Sequence, residues 1–138
     1  MHVMLMMALA AAERRIRIGV PYFVPDDLTI LQLVAARRRG VEVDIVLPGE
    51  HIDKRFVRRA SRHFWGALLE AGVRIWEYQP TMYHPKIVVV DETWVSVGST
   101  NFDERSFRLN DEANLNVFDA GFAREQIALI DADRERSR

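Results

Sequence analysis

The chain has 138 residues, of which 49% are hydrophobic and 28% are charged, a balance typical of a globular domain and not of a disordered chain. Its 19 lysine and arginine residues and 20 acidic residues give a net charge of −1, so no overall positive field attracts nucleic acid or anionic lipid. The absence of cysteine excludes a disulfide framework, a thiolate nucleophile and a Cys-ligated zinc site.

The opening apolar run, residues 1–12, is predicted to form a buried helix. It is shorter than the ~20 residues that are needed to cross a bilayer. It also lacks the basic leader of a signal peptide. A helix that lies on a membrane surface is the alternative interpretation.

Short β-branched runs then alternate with longer helical patterns, which is typical of an α/β fold. Strands are predicted at residues 15–20, 41–47, 73–78, 84–90, 94–98 and 113–118. Helices are predicted at residues 28–39, 53–71 and 121–133. The strands at 84–90 and 94–98 are expected to form a hairpin. We find neither an internal repeat nor a linker, so one domain is expected over residues 1–138.

His84 and Lys86 are a pair of side chains that could take part in a reaction. Two positions apart on a strand, they are expected to project from the same face. Lysine neutralises anionic oxygens, and imidazole can attack phosphorus or transfer a proton near neutral pH, so the pair suits a phosphate. Lys54 is the only other lysine in the sequence, which makes Lys86 stand out. A solvated strand face is the alternative interpretation of the pair alone.

The surroundings of this pair favour a site. Residues 87–90 are continuously apolar, which predicts a strand buried on both faces with the charged pair at its mouth. At the end of the partner strand, Gly98 permits close backbone approach. Ser99 and Asn101 follow it with small hydrogen-bonding side chains. Donors and acceptors are therefore expected to converge on one spot.

The spacing of these residues, His84-x-Lys86-x4-Asp91-x6-Gly98-Ser99-x-Asn101, resembles the signature motif of the phospholipase D superfamily. Other segments are similar to the second of the two repeats of bacterial cardiolipin synthases. These segments are Pro21-Tyr22-Phe23-Val24-Pro25-Asp26, Ala60-Ser61-Arg62, Leu69-Glu70-Ala71-Gly72-Val73, Arg105-Ser106-Phe107 and Leu109-Asn110-Asp111-Glu112. The resemblance implies a phospholipase D-like α/β/α sandwich with a mixed, mostly parallel sheet flanked by helices.

The resemblance also implies a role for each site residue. His84 is either the nucleophile that forms a phosphohistidine or the acid that protonates the leaving alcohol. Lys86 and Asn101 would hold the non-bridging phosphate oxygens, and Ser99 would add a hydrogen bond. Glu112 would accept a hydrogen bond from the imidazole.

Asp91 and Gly98 are expected to be structural parts of the motif. Asp91 falls at the turn of the hairpin, where we expect its carboxylate to cap that turn. Lysine and imidazole already supply the charge of a cation, so neither a metal nor another cofactor is expected. The other three histidines show no metal-ligand spacing.

The family's active site is made from two such motifs that face each other, and this sequence has one. A homodimer mate or an N-terminal repeat of a longer protein would supply the other. The implied function is a phosphatidyltransferase of the cardiolipin synthase type, which uses phosphatidylglycerol as substrate and acceptor. Such an enzyme would be peripherally associated with the cytoplasmic side of a membrane. Two alternatives are a phospholipase D or homodimeric nuclease-type phosphodiesterase, and a catalytically incomplete fragment or dimerisation module.

Two arginine clusters have a separate interpretation. They comprise residues 37–39 and the group Arg55, Arg58, Arg59 and Arg62. Either cluster could contact lipid headgroups or nucleic-acid phosphates. Interspersed acids and the helical context favour solvated faces, and nucleic acid is the less favoured partner because the chain lacks a basic surface.

Overall fold

The computed structural model describes residues 2–52, 55–102 and 112–138. Within these residues the helices are α1 (His2–Ala11), α2 (Asp27–Arg38), α3 (Arg55–His63), α4 (Trp65–Ala71) and α5 (Ala120–Glu135). The strands are β1 (Arg15–Gly19), β2 (Glu42–Pro48), β3 (Arg74–Tyr78), β4 (Ile87–Val90), β5 (Trp94–Gly98) and β6 (Asn114–Val117). The elements follow the predicted pattern to within a few residues, with two exceptions. The helix predicted at residues 53–71 is two helices, α3 and α4, and β4 begins later than predicted.

The described strands form one six-stranded sheet in the order β3-β2-β1-β4-β5-β6. β1, β2 and β3 are parallel neighbours, whereas β4 pairs antiparallel with β1, and β5 and β6 continue the antiparallel half. The prediction of a mixed α/β sheet is thus confirmed. The prediction that the sheet is mostly parallel is wrong, because the half from β4 to β6 is antiparallel. The turn at residues 91–93 is too short for the crossover that parallel pairing of β4 and β5 requires.

Helices cover both faces of the sheet, as the sandwich prediction requires. One face packs against α1, α2 and α4, whose buried apolar residues are Leu5, Met6, Leu9, Leu33, Ala36 and Leu68. The other face packs against α5 through Ala123, Ile127 and Ile130. Alternate residues of β1 and β2 point to opposite faces, which is why Ile16 and Ile18 join the first core and Val46 joins the second.

The helix predicted at residues 53–71 is interrupted, because α3 ends at His63 and α4 begins at Trp65. At the break, the Phe64 N–H donates to the Ser61 carbonyl at 3.0 Å, which is the tighter turn of a 3₁₀-helix. The turn lets the Trp65 indole donate to the Ser61 hydroxyl at 3.1 Å. The end of α4 is as predicted, since Gly72 adopts φ 96° in the left-handed region.

α1 is buried on one face only, which corrects the prediction of a buried helix. Leu5 and Leu9 face the core, whereas Val3 and Met7 expose 71% and 67% of their surface. The sequence pattern did not show this because α1 is apolar all round. Among the described residues, no helix combines the length and apolarity that crossing a membrane requires.

A buried ionic network fastens α5 to the sheet. Asp44 of β2 is fully buried and accepts hydrogen bonds from Arg74 Nη2 at 2.7 Å and Trp76 Nε1 at 2.9 Å. Arg17 Nη1 lies 2.9 Å from the same carboxylate, and Arg17 Nε donates to Asp131 of α5 at 2.9 Å. Burial alone would raise the pKa of Asp44, but these hydrogen bonds and charges outweigh burial and lower the pKa.

Because the pKa of Asp44 is lower in the folded than in the unfolded chain, its stabilising effect is complete above the unfolded pKa and is lost as pH falls through the folded one. We expect Asp44→Asn to lower the free energy of unfolding by about 3 kcal/mol near pH 7, because Arg17 loses a charged partner. The variant should also lose less stability than wild type on acidification to about pH 3. Urea unfolding at both pH values measures this.

The control is Glu135→Gln on the exposed end of α5, which should unfold as wild type does. A decline in stability on acidification that is equally large in Asp44→Asn and wild type would contradict the assigned role of this carboxylate.

Candidate active site

The topology brings the predicted site residues to one edge of the sheet. Antiparallel pairing of β4 with β1 places Ile87 opposite Gly19, so the residues before β4 lie beside those that follow β1. Gly98 at the end of β5 donates its N–H to the Lys86 carbonyl at 3.2 Å and pairs with Asn114 at the start of β6. The site residues at this edge are His84, Lys86, Ser99, Asn101 and Glu112.

His84 and Lys86 do not lie in a strand, which corrects the predicted strand at 84–90, because β4 begins at Ile87. Pro85 has no N–H to donate to a ladder, so regular pairing cannot extend through it. The side chains meet nevertheless, with Lys86 Nζ 3.2 Å from His84 Nδ1. When the ammonium donates this bond, the neutral imidazole carries its proton on Nε2.

Two tyrosines lie close to His84, whose own side chain is exposed. The Tyr22 and His84 ring centroids are 6.3 Å apart in an edge-on arrangement. Tyr83 is buried with its hydroxyl against Gly19, where an added Cβ would lie 2.6 Å from the oxygen. Burial raises the pKa of Tyr83, and the nearby Asp133 carboxylate raises it further, so the phenol stays protonated. Tyr83 was not among the predicted site residues, although its position next to the motif histidine was a signal.

Ser99 and Glu112 lie on the connection between β5 and β6. The Ser99 hydroxyl accepts from the Ala113 N–H at 3.0 Å and donates to the Ala113 carbonyl over a longer 3.4 Å. Glu112 directly precedes Ala113 and is half-buried. Asn101 is 9% exposed, so its amide is enclosed. The long bond of Ser99 is weak enough to be exchanged for a ligand oxygen.

A second set of polar residues, which the sequence analysis missed, supports this connection. Asn114 Nδ2 donates to the hydroxyl of the buried Ser96 at 2.8 Å, and Asn114 Oδ1 accepts from the Thr100 N–H at 3.1 Å. A Cβ at Gly98 would clash with the backbone carbonyl oxygen of Ala113 and would lie 2.6 Å from the same Oδ1, so this position requires glycine. The signal was a serine within an otherwise apolar strand, since a buried hydroxyl needs a partner.

Asp91 lies at the opposite end of β4 from His84. Its carboxylate accepts backbone hydrogen bonds from Glu13 at 3.1 Å, Arg14 at 2.7 Å and Arg15 at 2.9 Å. Asp91 itself has φ 54°, a left-handed conformation that aspartate tolerates. Asp91 therefore has a structural role, as predicted. Its carboxylate binds the chain that leads into β1, whereas we expected it to cap the turn of its own hairpin.

The described residues contain no three His, Asp or Glu side chains placed to bind a metal ion together. Lys86 beside His84 places a positive charge at this edge. The expectation of a metal-free site stays a prediction.

A family model for the cardiolipin synthase, PLD-like domain matches residues 5–134. The chain belongs to this family. Cardiolipin synthase 2 of Bacillus cereus is 40% identical over 129 residues, which are 94% of this chain and 25% of that protein. Cardiolipin synthase A of Pseudomonas aeruginosa is 43% identical over 123 residues, which are 89% of this chain and 25% of that protein. The chain thus spans about a quarter of the length of these curated relatives. The resemblance found in the motif is confirmed.

A solved structure shares the fold of this PLD-like domain. Nuc from Salmonella typhimurium, a phospholipase D family member, superimposes with a TM-score of 0.87 at 24% identity. The match covers 99% of this chain and 88% of that chain. The predicted phospholipase D-like sandwich is thereby confirmed.

The Asp91 carboxylate generates a stability prediction. Asp91→Asn keeps a residue that tolerates the left-handed backbone but replaces one acceptor oxygen with an amide and removes the charge. We expect it to lower the free energy of unfolding by about 2 kcal/mol, since hydrogen bonds to charged groups contribute about 1.5–3 kcal/mol. Chemical denaturation monitored by circular dichroism measures the loss.

The matched control is Glu92→Gln at the next position. Glu92 lies 4.0 Å from Arg15 in a partly exposed ion pair, so its loss should cost under about 0.5 kcal/mol. Equal stability of the two variants would argue against the anchoring role of Asp91.

Proposed function

We propose that this domain is one half of a reaction centre for phosphatidyl transfer of the cardiolipin synthase type. The supporting observation is the 3.2 Å contact between Lys86 and His84 at an exposed edge, in a chain about 40% identical to cardiolipin synthases. The substrate would be a phosphatidylglycerol-like phospholipid. No metal or other cofactor enters the proposed reaction.

The contact between Lys86 and His84 is a suitable starting state for this chemistry. Because the ammonium occupies Nδ1, Nε2 is the ring nitrogen left for the substrate. A bound phosphate would attract the ammonium to its own oxygens, and Nδ1 could then carry the imidazole proton. The deprotonated Nε2 is then able to attack phosphorus.

Neighbouring side chains fit the supporting roles. Glu112 would accept a hydrogen bond from the protonated Nδ1 and stabilise the positive charge that develops on the ring. Lys86 and Asn101 would bind the non-bridging oxygens, whose negative charge grows in the transition state. Ser99 would exchange its 3.4 Å bond to the Ala113 carbonyl for one to phosphate.

The transfer takes two displacements at phosphorus. In the first, a bond forms between phosphorus and His84 while the bond to the glycerol headgroup breaks, and glycerol leaves with a proton from the acid of a second motif. In the second, the hydroxyl of another phosphatidylglycerol gives its proton back to that group and attacks phosphorus. Cardiolipin and glycerol are the products, and the imidazole of His84 is regenerated.

The second motif has to come from outside this sequence, which carries one His-x-Lys motif of this type. For the 138-residue chain we propose a second copy related by two-fold symmetry, with the two His84 edges facing each other. In the longer relatives, of which this chain covers 25%, a further repeat of the same chain could take that place.

Two further features belong to the proposal. The lipid substrate implies that the domain works at the periphery of a membrane, on its cytoplasmic side. The exposure of His84 favours a second candidate function, hydrolysis of the phosphodiester, because water can reach an exposed phosphohistidine as readily as an alcohol can. The products separate the two: hydrolysis gives phosphatidic acid, and transfer gives cardiolipin.

The decisive variant is His84→Ala. We expect a loss of at least about 10³-fold in turnover of phosphatidylglycerol, because the residue that would bond to phosphorus is absent, while the free energy of unfolding stays within about 0.5 kcal/mol of wild type for this exposed side chain. Thin-layer chromatography of radiolabelled lipid products measures turnover and separates cardiolipin from phosphatidic acid.

His63→Ala is the matched control, since His63 is an exposed histidine on α3. It should keep at least about half of wild-type turnover. Undiminished turnover in His84→Ala would overturn the proposed mechanism.

A further inference from the structure

A second positively charged site lies outside the residues that act on phosphorus. A cavity of about 380 Å³ is lined by one face of α3 and by the described part of the loop after β2. Its lining residues are Glu50, Ile52, Arg55, Arg58, Arg59 and Arg62. At about 100° per residue, the four arginines fall within about 100° of the helix circumference, so their guanidinium groups share one face.

The four arginines are not equivalent. Arg58 and Arg62 both bind Glu77 of β3, with Nη2 to carboxylate distances of 2.9 Å and 2.8 Å. Burial would raise the pKa of Glu77, but these two arginines outweigh it and lower the pKa, so the carboxylate stays charged. Within the described part of the chain, no hydrogen bond or ion pair involves Arg55 or Arg59, and both are exposed. The structure thus leaves two guanidinium groups available at the cavity rim.

An exposed aromatic residue borders the same face. Phe56, which directly follows Arg55 in α3, exposes 72% of its surface. It lies about 60° beyond Arg59 on the helix circumference. Arginines with an adjacent exposed aromatic ring are typical of helices that lie in a membrane interface, where the ring enters the acyl boundary and the cations contact headgroups. An exposed phenylalanine would contribute nothing to the binding of a small soluble anion.

The cavity opens on the edge of the sheet that carries His84. β1 and β2 are parallel, so the residues after both strands lie at one edge, and Glu50 follows β2 there. α3 packs against that edge, because a small cleft is lined jointly by Pro21 after β1, Pro48 at the end of β2 and Arg58. A membrane that contacts α3 would therefore present its headgroups to the edge where His84 is exposed.

We propose that Arg55 and Arg59 form a binding site for the phosphate groups of anionic phospholipids in a bilayer, with Phe56 inserted beside them. The site does not act on phosphorus; it holds the catalytic edge on the membrane. The inference rests on the proposed function only for the lipid nature of the substrate. For this arginine cluster, the proposal takes the lipid-headgroup interpretation in place of the solvated face that the sequence favours.

The test is cosedimentation of the 138-residue chain with vesicles of phosphatidylglycerol and phosphatidylcholine, compared with phosphatidylcholine vesicles alone. Arg55→Gln/Arg59→Gln should bind the anionic vesicles about thirtyfold more weakly, which corresponds to about 1 kcal/mol for each arginine. Arg55→Lys/Arg59→Lys should retain most of the binding. Phe56→Ser should weaken binding at high salt as well as at low salt, because its contribution is not ionic.

Arg38→Gln/Arg124→Gln is the matched control. It removes the same charge from two exposed arginines, one at the end of α2 and one near the start of α5, both toward the opposite edge of the sheet. It should bind vesicles within about twofold of wild type. Equal losses in the two double variants would overturn the site, since net charge alone would then explain the binding.

Two further arms identify the ligand. Displacement of the chain from vesicles by millimolar inorganic phosphate would overturn the proposal in favour of a free-anion site. A loss of oligonucleotide binding in Arg55→Gln/Arg59→Gln with unchanged vesicle binding would overturn it in favour of nucleic acid. Cosedimentation measures binding and not turnover, so a failure of the proposed reaction leaves this test intact.

Discussion

The antiparallel pairing of β4 beside β1 is the constraint on which the rest of the structure depends. β4 is buried along its whole length between β1 and β5, and its direction brings residues 84–86 to the edge where β1 and β2 end. At its far end, Asp91 binds three backbone N–H groups at the start of β1 and holds the two strands in register. The edge that carries the candidate site is thus fixed by strand pairing in the middle of the sheet and by the charge-assisted hydrogen bonds of Asp91 at the other end.

Much of this fold could be predicted from the sequence because its local signals agree with the tertiary structure. Apolar runs located the strands, and Gly72 located the end of α4. Three features could not be predicted, because each depends on contacts between distant segments. The break at Phe64 depends on the packing of Trp65, and the direction of β4 depends on its neighbours in the sheet. Which face of α1 is exposed depends on which other elements pack against that helix.

The candidate site, like the fold, could be predicted from the sequence only in part. Fixed spacing identified His84 and Lys86, and the 3.2 Å contact between them needed no regular strand. The residues that hold the site were missed, because Tyr83 against Gly19 and Asn114 against Ser96 are contacts between segments far apart in sequence. The arginines of α3 were visible as a cluster, but only the fold distinguishes the two that bind Glu77 from Arg55 and Arg59, which form no ion pair among the described residues.

The central claim is the proposal that two copies of the 138-residue chain form one reaction centre around His84, and subunit mixing tests it most directly. Wild-type chain is equilibrated with about a ninefold excess of His84→Ala, and turnover of phosphatidylglycerol per wild-type chain is measured. If two copies form the site, about one wild-type chain in ten keeps a wild-type partner, and activity per wild-type chain falls about tenfold. The same excess of His63→Ala should cause no fall. Unchanged activity per wild-type chain in the His84→Ala mixture, or no turnover by wild type at any concentration, would contradict the claim.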